Sequence, residues 1–265
     1  MAAMLISDVK IVALRAKVVA ASEEVDKAIQ FHEVWKPAAY DAALHERMGR
    51  SYSTNTFLII RQALRLEMLL ALTRLWDRDA KAVGMSGIAN TLCNGRVVDA
   101  LAAECEEYYA NTPLLNCDPD YPEDLRQEIE QFHRANELQF GREQSKLLRD
   151  RAAEAVGVIR SYAKGEPNYA TLNALLDLRN QQMAHRQVNA SVAGFDATNA
   201  DIEAFYQQML NLIRLLRGAV ENVDYRPEET ARIRRRHAEL FWADVRGERT
   251  LGHPDYVEPH VWPLR

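Results

Sequence analysis

An all-α helical bundle with a helical carboxy-terminal extension is the fold class this sequence predicts, and three observations predict it. Apolar residues recur three and four positions apart through most of the chain. No segment sustains the period-two alternation of a half-buried strand. Only 11 Gly and 9 Pro in 265 residues leave little of the turn chemistry that an all-β protein needs.

The elements follow in order. Ile11, Leu14, Val18, Val19, Val25 and Ile29 predict an amphipathic helix from Asp8 to about Gln30, with Ser7 placed to cap it. A shorter segment around Tyr40 to Met48 follows Pro37. Ser53 or Thr54 opens a run to about Asp77 whose apolar residues face nearly all directions, which predicts a central helix. Lys81 to Gly95 holds three glycines and reads as a connection, Val97 to Tyr109 is helical with an acidic face, and Pro113 to Asp120 is a polar loop.

Pro122 suits a first helical position. From there Leu125, Ile129 and Phe132 begin a pattern that runs past Gly141 to about Tyr162, as two helices or one bent one. The sequence Lys164-Gly165-Glu166-Pro167-Asn168 breaks it. Helices are predicted from Tyr169 to Arg186 and, after a loop through Gly194, from Asn199 to Val223, with Pro227 restarting a last one to about Val245. These divide as a bundle over 1–223 and a helix with an extended tail over 224–265. In the tail, His253 to Arg265, three prolines accompany Tyr256, Val261 and Trp262, which read as packing on the parent core rather than as a hook for a partner.

Composition narrows the function. A formal net charge of -5 argues against a protein that coats nucleic acid non-specifically, while a local basic cleft for a few phosphates stays open. Asp8, Lys10, Arg15 and Lys17 interrupt the apolar amino terminus, so no uncharged signal-peptide core forms. Arg61, Arg65, Glu67 and Arg74 make the most hydrophobic stretch, Thr56 to Trp76, a core helix rather than a membrane span. Cys93, Cys105 and Cys117 lack metal-knuckle or redox spacing and suit reduced thiols. A cytoplasmic protein with no membrane association, no metal and no cofactor is expected.

Chemistry concentrates in one segment, Leu172 to Arg186, which reads LNALLDLRNQQMAHR. On a helix Leu172, Leu175, Leu176 and Met183 form an apolar stripe with Arg179 in its middle. A guanidinium cannot shed its charge, so an arginine there needs a carboxylate, backbone carbonyls or a ligand phosphate. His185 lies six residues on, at the edge of the same stripe, and Asn180 adds a donor and an acceptor. Read without context, Arg179 would pair with a carboxylate across the bundle and His185 would satisfy a neighbouring carbonyl.

At these residues the chain resembles the HEPN superfamily, whose hallmark is an arginine, usually followed by a polar residue, and a histidine after four to six intervening positions. Arg179, Asn180 and His185 match that pattern. RNQQMAHR, preceded by the long helix TFLIIRQALRLEMLLALTRLWDRD, looks most like the abortive-infection, AbiU-like branch. Gln187 stands where the branch partnered with nucleotidyltransferases has a tyrosine. The resemblance spans roughly Tyr52 to Asn222. It implies a HEPN-like helical bundle that dimerises so that two motifs line one cleft, and a metal-independent endoribonuclease activity.

Those residues suit that reaction. RNA cleavage without a metal requires deprotonating the 2′-hydroxyl, protonating the 5′-oxygen and stabilising charge on phosphorus. Histidine shuttles the proton and arginine holds phosphate oxygens bidentately. The expectation is a homodimeric endoribonuclease of a prokaryotic defence or toxin–antitoxin system, with RNA as substrate and an antitoxin protein as a further partner. The alternative is a non-catalytic HEPN-fold interaction or nucleotide-binding protein in which the motif stabilises a dimer interface. Arg61, Arg65 and Arg186 are secondary candidates for RNA contact, against the plainer reading that Arg61 and Arg65 snorkel or pair with acids such as Glu67. The run Arg232 to His237 reads as a solvated face, and Glu104, Glu106 and Glu107 lack the second carboxylate motif of a metal site. Neither a Walker loop nor a GxSxG elbow occurs.

Overall fold

A computed structural model describes residues 2–77, 84–113, 121–183, 198–248, 251 and 256, with side chains of 2–8 and 181–183 left aside. It is 82% helical, with nine α-helices and no strand among the described residues. The helices are α1 (Ala2–Tyr40), α2 (Ala42–Met48), α3 (Ser53–Arg74), α4 (Met85–Leu92), α5 (Gly95–Ala110), α6 (Glu123–Arg160), α7 (Tyr169–Met183), α8 (Asn199–Val220) and α9 (Pro227–Ala243). The all-α expectation holds.

The first helix runs ten residues further than its apolar pattern suggested, and the reason is a repeat that does not stop at Ile29. Ile11, Leu14, Val18, Ala21, Val25, Ala28, His32 and Trp35 alternate spacings of three and four, and all are buried. That spacing keeps one side of a helix turned inward, so burial of His32 and Trp35 carries the helix on through Pro37. Asp41 then caps α2 by accepting the backbone N–H groups of Ala43 and Leu44.

The expected connection at Lys81 to Gly95 contains α4. Met85, Ile88, Ala89 and Leu92 are buried at helical spacing, and the glycines that suggested a loop stand mostly at its edges. Gly84 takes φ 53 where the helix begins, a conformation costly for other residues, and Gly95 opens α5. Only Gly87 is interior. The helix after Pro122 is a single one of 38 residues, and its buried positions begin only at Gly141.

Two compact units share the chain. The first holds Met1–Glu23, Arg74–Asn173 and Gln207–Tyr225. In it Trp76 tilts against Tyr162 with centroids 4.6 Å apart, Tyr162 donates its hydroxyl to Gln208, and Arg15 pairs with Glu104 at 2.5 Å. The Glu106 carboxylate accepts from the hydroxyl of buried Ser145. Glu104 and Glu106 are therefore structural partners of these two residues.

The second unit holds Glu24–Thr73, Ala174–Tyr206 and Arg226–Arg265. Ala38, Leu44, Met48, Phe57, Ala238 and Trp242 form one of its apolar clusters, edged by Val34, Leu64 and Val245. Phe57 meets Trp242 edge to face at 5.7 Å, and the indole N–H donates to the Val34 carbonyl at 2.9 Å. This packing fixes α9 beside α1, α2 and α3. The expected central helix is only partly buried: Met68 to Thr73 are enclosed, whereas Leu58, Ile59 and Ile60 are exposed.

Candidate functional site

The motif helix α7 starts from the break at Lys164 to Asn168, where Asn168 N donates to Ser161 O and Leu172 N to Asn168 O. Leu172, Ala174 and Leu175 are buried, Leu176 and Leu178 are half-buried, and Asn180 is exposed. Arg179 is half-buried rather than enclosed. Its Nε and Nη2 both donate to Asn180 Oδ1, each at 3.1 Å. Among the described residues no carboxylate forms an ion pair with Arg179.

That geometry has a chemical consequence. The neutral amide oxygen of Asn180 orients the guanidinium without cancelling its charge, and among the described residues Nη1 donates to no acceptor. His185 and Arg186 lie outside the described residues, as does Cys117. Arg61 and Arg65 are half-buried, one turn apart on α3. Neither is joined to Arg179, Asn180 or Glu67 by a hydrogen bond or ion pair among the described residues. Burial pulls the Arg65 pKa down, opposed by the nearby Tyr40 phenol, and its Nε is buried without a hydrogen-bond partner among the described residues.

The charge run on α9 divides as a solvated face would. Arg235 turns inward to Glu33, Arg236 pairs with Glu239 at 3.5 Å, and Arg232, Ile233, Arg234 and His237 are exposed. Cys93 is exposed, Cys105 is buried, and burial pushes the Cys105 thiol up. Among the described residues no helix is long and apolar enough to cross a membrane.

Sequence reasoning missed a buried polar cluster in the second unit. His32 and Glu33 of α1 are 0% and 1% exposed. His32 Nδ1 lies 3.0 Å from Glu33 Oε1 and Nε2 lies 2.9 Å from Glu203 Oε1. An ionised carboxylate only accepts, so both ring nitrogens donate and the imidazole is an imidazolium. Its ring stacks on Tyr206 with centroids 3.8 Å apart. Arg235 donates Nε to Glu33 Oε2 at 2.8 Å, and the Tyr206 hydroxyl donates to Glu33 Oε1 at 3.4 Å.

Burial opposes the charge on His32, but hydrogen bonds and attraction from Glu203 and Glu33 outweigh it and hold its pKa above 6.5. Burial likewise opposes ionisation of Glu33 and Glu203, yet His32, with Arg235 for the first and Lys36 for the second, holds both carboxyls below their usual range. Burial and the Glu33 charge push the Tyr206 phenol far up. The signal was in the sequence: His32 continues the three–four repeat of α1, which is where a buried histidine is found.

Residues 11–241 match the HEPN-type family described as AbiU2. No curated protein and no solved structure matches the chain. The matched stretch takes in α2 to α8 whole, the motif segment, α1 from Ile11 onward and α9 as far as Phe241, and on that breadth the chain belongs to the HEPN AbiU2 family.

Proposed function

We propose that this protein is a metal-independent endoribonuclease of an abortive-infection or toxin system, acting as a homodimer in which two copies of the motif line one cleft. Arg179 clamps the scissile phosphate, Asn180 orients the guanidinium, and His185 exchanges the proton with the 2′-hydroxyl and the 5′-oxygen. Arg61, Arg65 and Arg186 contact the RNA strand. The observation that carries this reading is the Arg179–Asn180 pair: a half-buried guanidinium steered at 3.1 Å by a neutral amide, in a chain of a HEPN family. Among the described residues it has no carboxylate partner, which would have neutralised it and favoured a purely structural role.

The reaction is written from the motif. A base removes the 2′-hydroxyl proton, the 2′-oxygen attacks phosphorus, the P–O5′ bond breaks, and an acid protonates the leaving oxygen, giving a 2′,3′-cyclic phosphate and a 5′-hydroxyl. One motif supplies one imidazole and one guanidinium; a two-fold axis supplies the second of each.

The test is cleavage of single-stranded RNA by the purified chain in the presence of a chelator, with the products identified by mass. Cleavage persists, DNA of the same sequence resists, and His185→Ala loses about 100-fold or more of the rate. Arg179→Lys loses activity as well, since a point charge does not reproduce a bidentate clamp. A requirement for added magnesium, or full activity in His185→Ala, replaces this reading with that of a non-catalytic binding protein.

A further inference from the structure

The apolar pattern of α6 changes sides at Gly141. From there to Ile159 the buried residues Gly141, Ser145, Leu148, Ala152, Ala155 and Ile159 keep one side of the helix inward. Carried back at the same spacing of three and four, that side holds Leu138 and then Arg134, Glu130, Gln127 and Glu123, which are polar. The apolar residues Leu125, Ile129 and Phe132 fall two positions out of step with it, which is about 200° around the helix. They face away from the side that α6 buries.

This half of α6 also runs on past its neighbour. Arg149 meets Asp99, Ser145 meets Glu106, and a Cβ on Gly141 would lie 3.1 Å from Tyr109 Cβ, so α6 passes antiparallel along α5 and leaves its end at Ala110. Glu123–Phe140 is then an arm of about 27 Å. None of its residues is buried; Phe132 is 65% exposed, Leu125 41% and Phe140 44%. At the root of the arm Phe140 meets Tyr109 edge to face at 4.9 Å. An isolated helix of this length is marginal in water, because helices draw most of their stability from packing an apolar side. The arm has such a side, and among the described residues nothing buries it.

We infer that this arm pairs, antiparallel, with the arm of a second copy of the chain about a two-fold axis at Phe132. Charge selects that occupant. Arg126 and Glu137 lie eleven positions apart on one flank of the apolar stripe, and Asp124 and Arg142 lie eighteen apart on the other, both spacings being close to whole turns. A two-fold axis across the pair lays each flank against the same flank of the other copy, run in reverse. Arg126 then faces the partner's Glu137, and Asp124 faces the partner's Arg142. Both pairs are centred within about one residue of Phe132, where two phenyl rings meet. Asp124, Glu137 and Arg142 form no ion pair among the described residues, and Arg126 pairs with Glu123 three positions back. A parallel pairing would set like charge against like. RNA does not fit this side, since the arm carries five acidic residues and two arginines. The inference concerns how copies meet and does not rest on the nuclease reading.

The test is the mass of the full chain in solution, by sedimentation equilibrium at micromolar concentration. Phe132→Asp, a substitution at an exposed site, is expected to halve it. Glu137→Arg weakens association about tenfold, because the axis doubles each contact, and Arg126→Glu added to Glu137→Arg restores it, a rescue that a folding defect would not show. In a chain carrying Cys93→Ser and Cys117→Ser, Phe132→Cys forms a disulfide with its own copy under oxidised glutathione. Glu130→Cys, two positions back and on the far side of the arm, does not. A mass that ignores Phe132→Asp, or a double reversal that fails to rescue, overturns the inference and leaves the nuclease dimer to another surface. A native chain that is monomeric at that concentration overturns both.

Discussion

His32 of α1 and Glu203 of α8 meet at 2.9 Å, with the histidine fully buried and the glutamate side chain 26% exposed. Glu33 closes on the other ring nitrogen at 3.0 Å and in turn receives Arg235 of α9. Three helices are thus joined by alternating charges. Removing one partner of a buried pair strands the other, at a cost of about 3–5 kcal/mol. His32→Ala is therefore expected to lower the unfolding free energy by about that much, as measured by urea denaturation near pH 6. A loss below about 1 kcal/mol would mean that the carboxylates find solvent instead.

The same network has a pH signature. Glu33 and Glu203 are held below 4.5, so their contribution is complete above that value and is lost as pH falls through the folded pKa values. His32 is held above 6.5, so its contribution is complete below 6.5 and is lost as pH rises through its folded pKa. The stability difference between the native chain and His32→Gln should hence be flat between pH 4.5 and 6.5 and shrink above that window. A difference that widens as pH rises above 6.5 would contradict the imidazolium assignment.

Arg235→Ala should cost much less than Glu33→Ala. The arginine side chain is 50% exposed, so solvent screens its attraction, while Glu33 is 1% exposed and keeps His32 and Tyr206 as partners after the arginine is gone. About 1 kcal/mol is expected for Arg235→Ala. Double-mutant cycles report the coupling, and equal costs for the two substitutions would show that α9 depends on that ion pair.

Gly247→Ala should unfasten the segment after α9. The added methyl would press on Met48 O and the Ser51 side chain, so Glu248 would lose its place at the head of α3. Hydrogen exchange is expected to quicken in the first turn of α3 and in 244–248 before it does elsewhere. The Glu248 carboxyl is held down to about 2, first by the Ser53 hydroxyl, so its cap is complete above 4.5 and is lost as pH falls toward about 2. Unchanged exchange in both segments would mean that the backbone absorbs the methyl.

Asn180 separates orientation from charge. Asn180→Ala removes the acceptor and should lower the RNA cleavage rate by about tenfold or more with little change in helix content. Asn180→Asp keeps the guanidinium in place but neutralises it, and should also fail. If Asn180→Asp cleaves as well as the native chain, Arg179 does not act as the phosphate clamp.

By itself the sequence determined the helical class, most helix positions and the segment in which an arginine, an asparagine and a histidine stand at HEPN spacing, because helix periodicity and motif spacing are local properties. Arg179 and Asn180 are adjacent in the chain, and their hydrogen bonds are formed within one turn. The tertiary structure decided what local pattern could not carry. His32 meets Glu203 across 171 positions, and Glu33 meets Arg235 across 202. Burial of that cluster extends α1 past its expected end, and the apolar burial of Met85, Ile88, Ala89 and Leu92 makes a helix where glycines suggested a loop. Glu248 reaches α3 over 195 positions and shows which end of that helix is capped, while among the described residues one of its sides stays bare. A side chain's partner at such separations is set by how helices pack, since desolvation makes an unpaired charge costly only once packing has enclosed it.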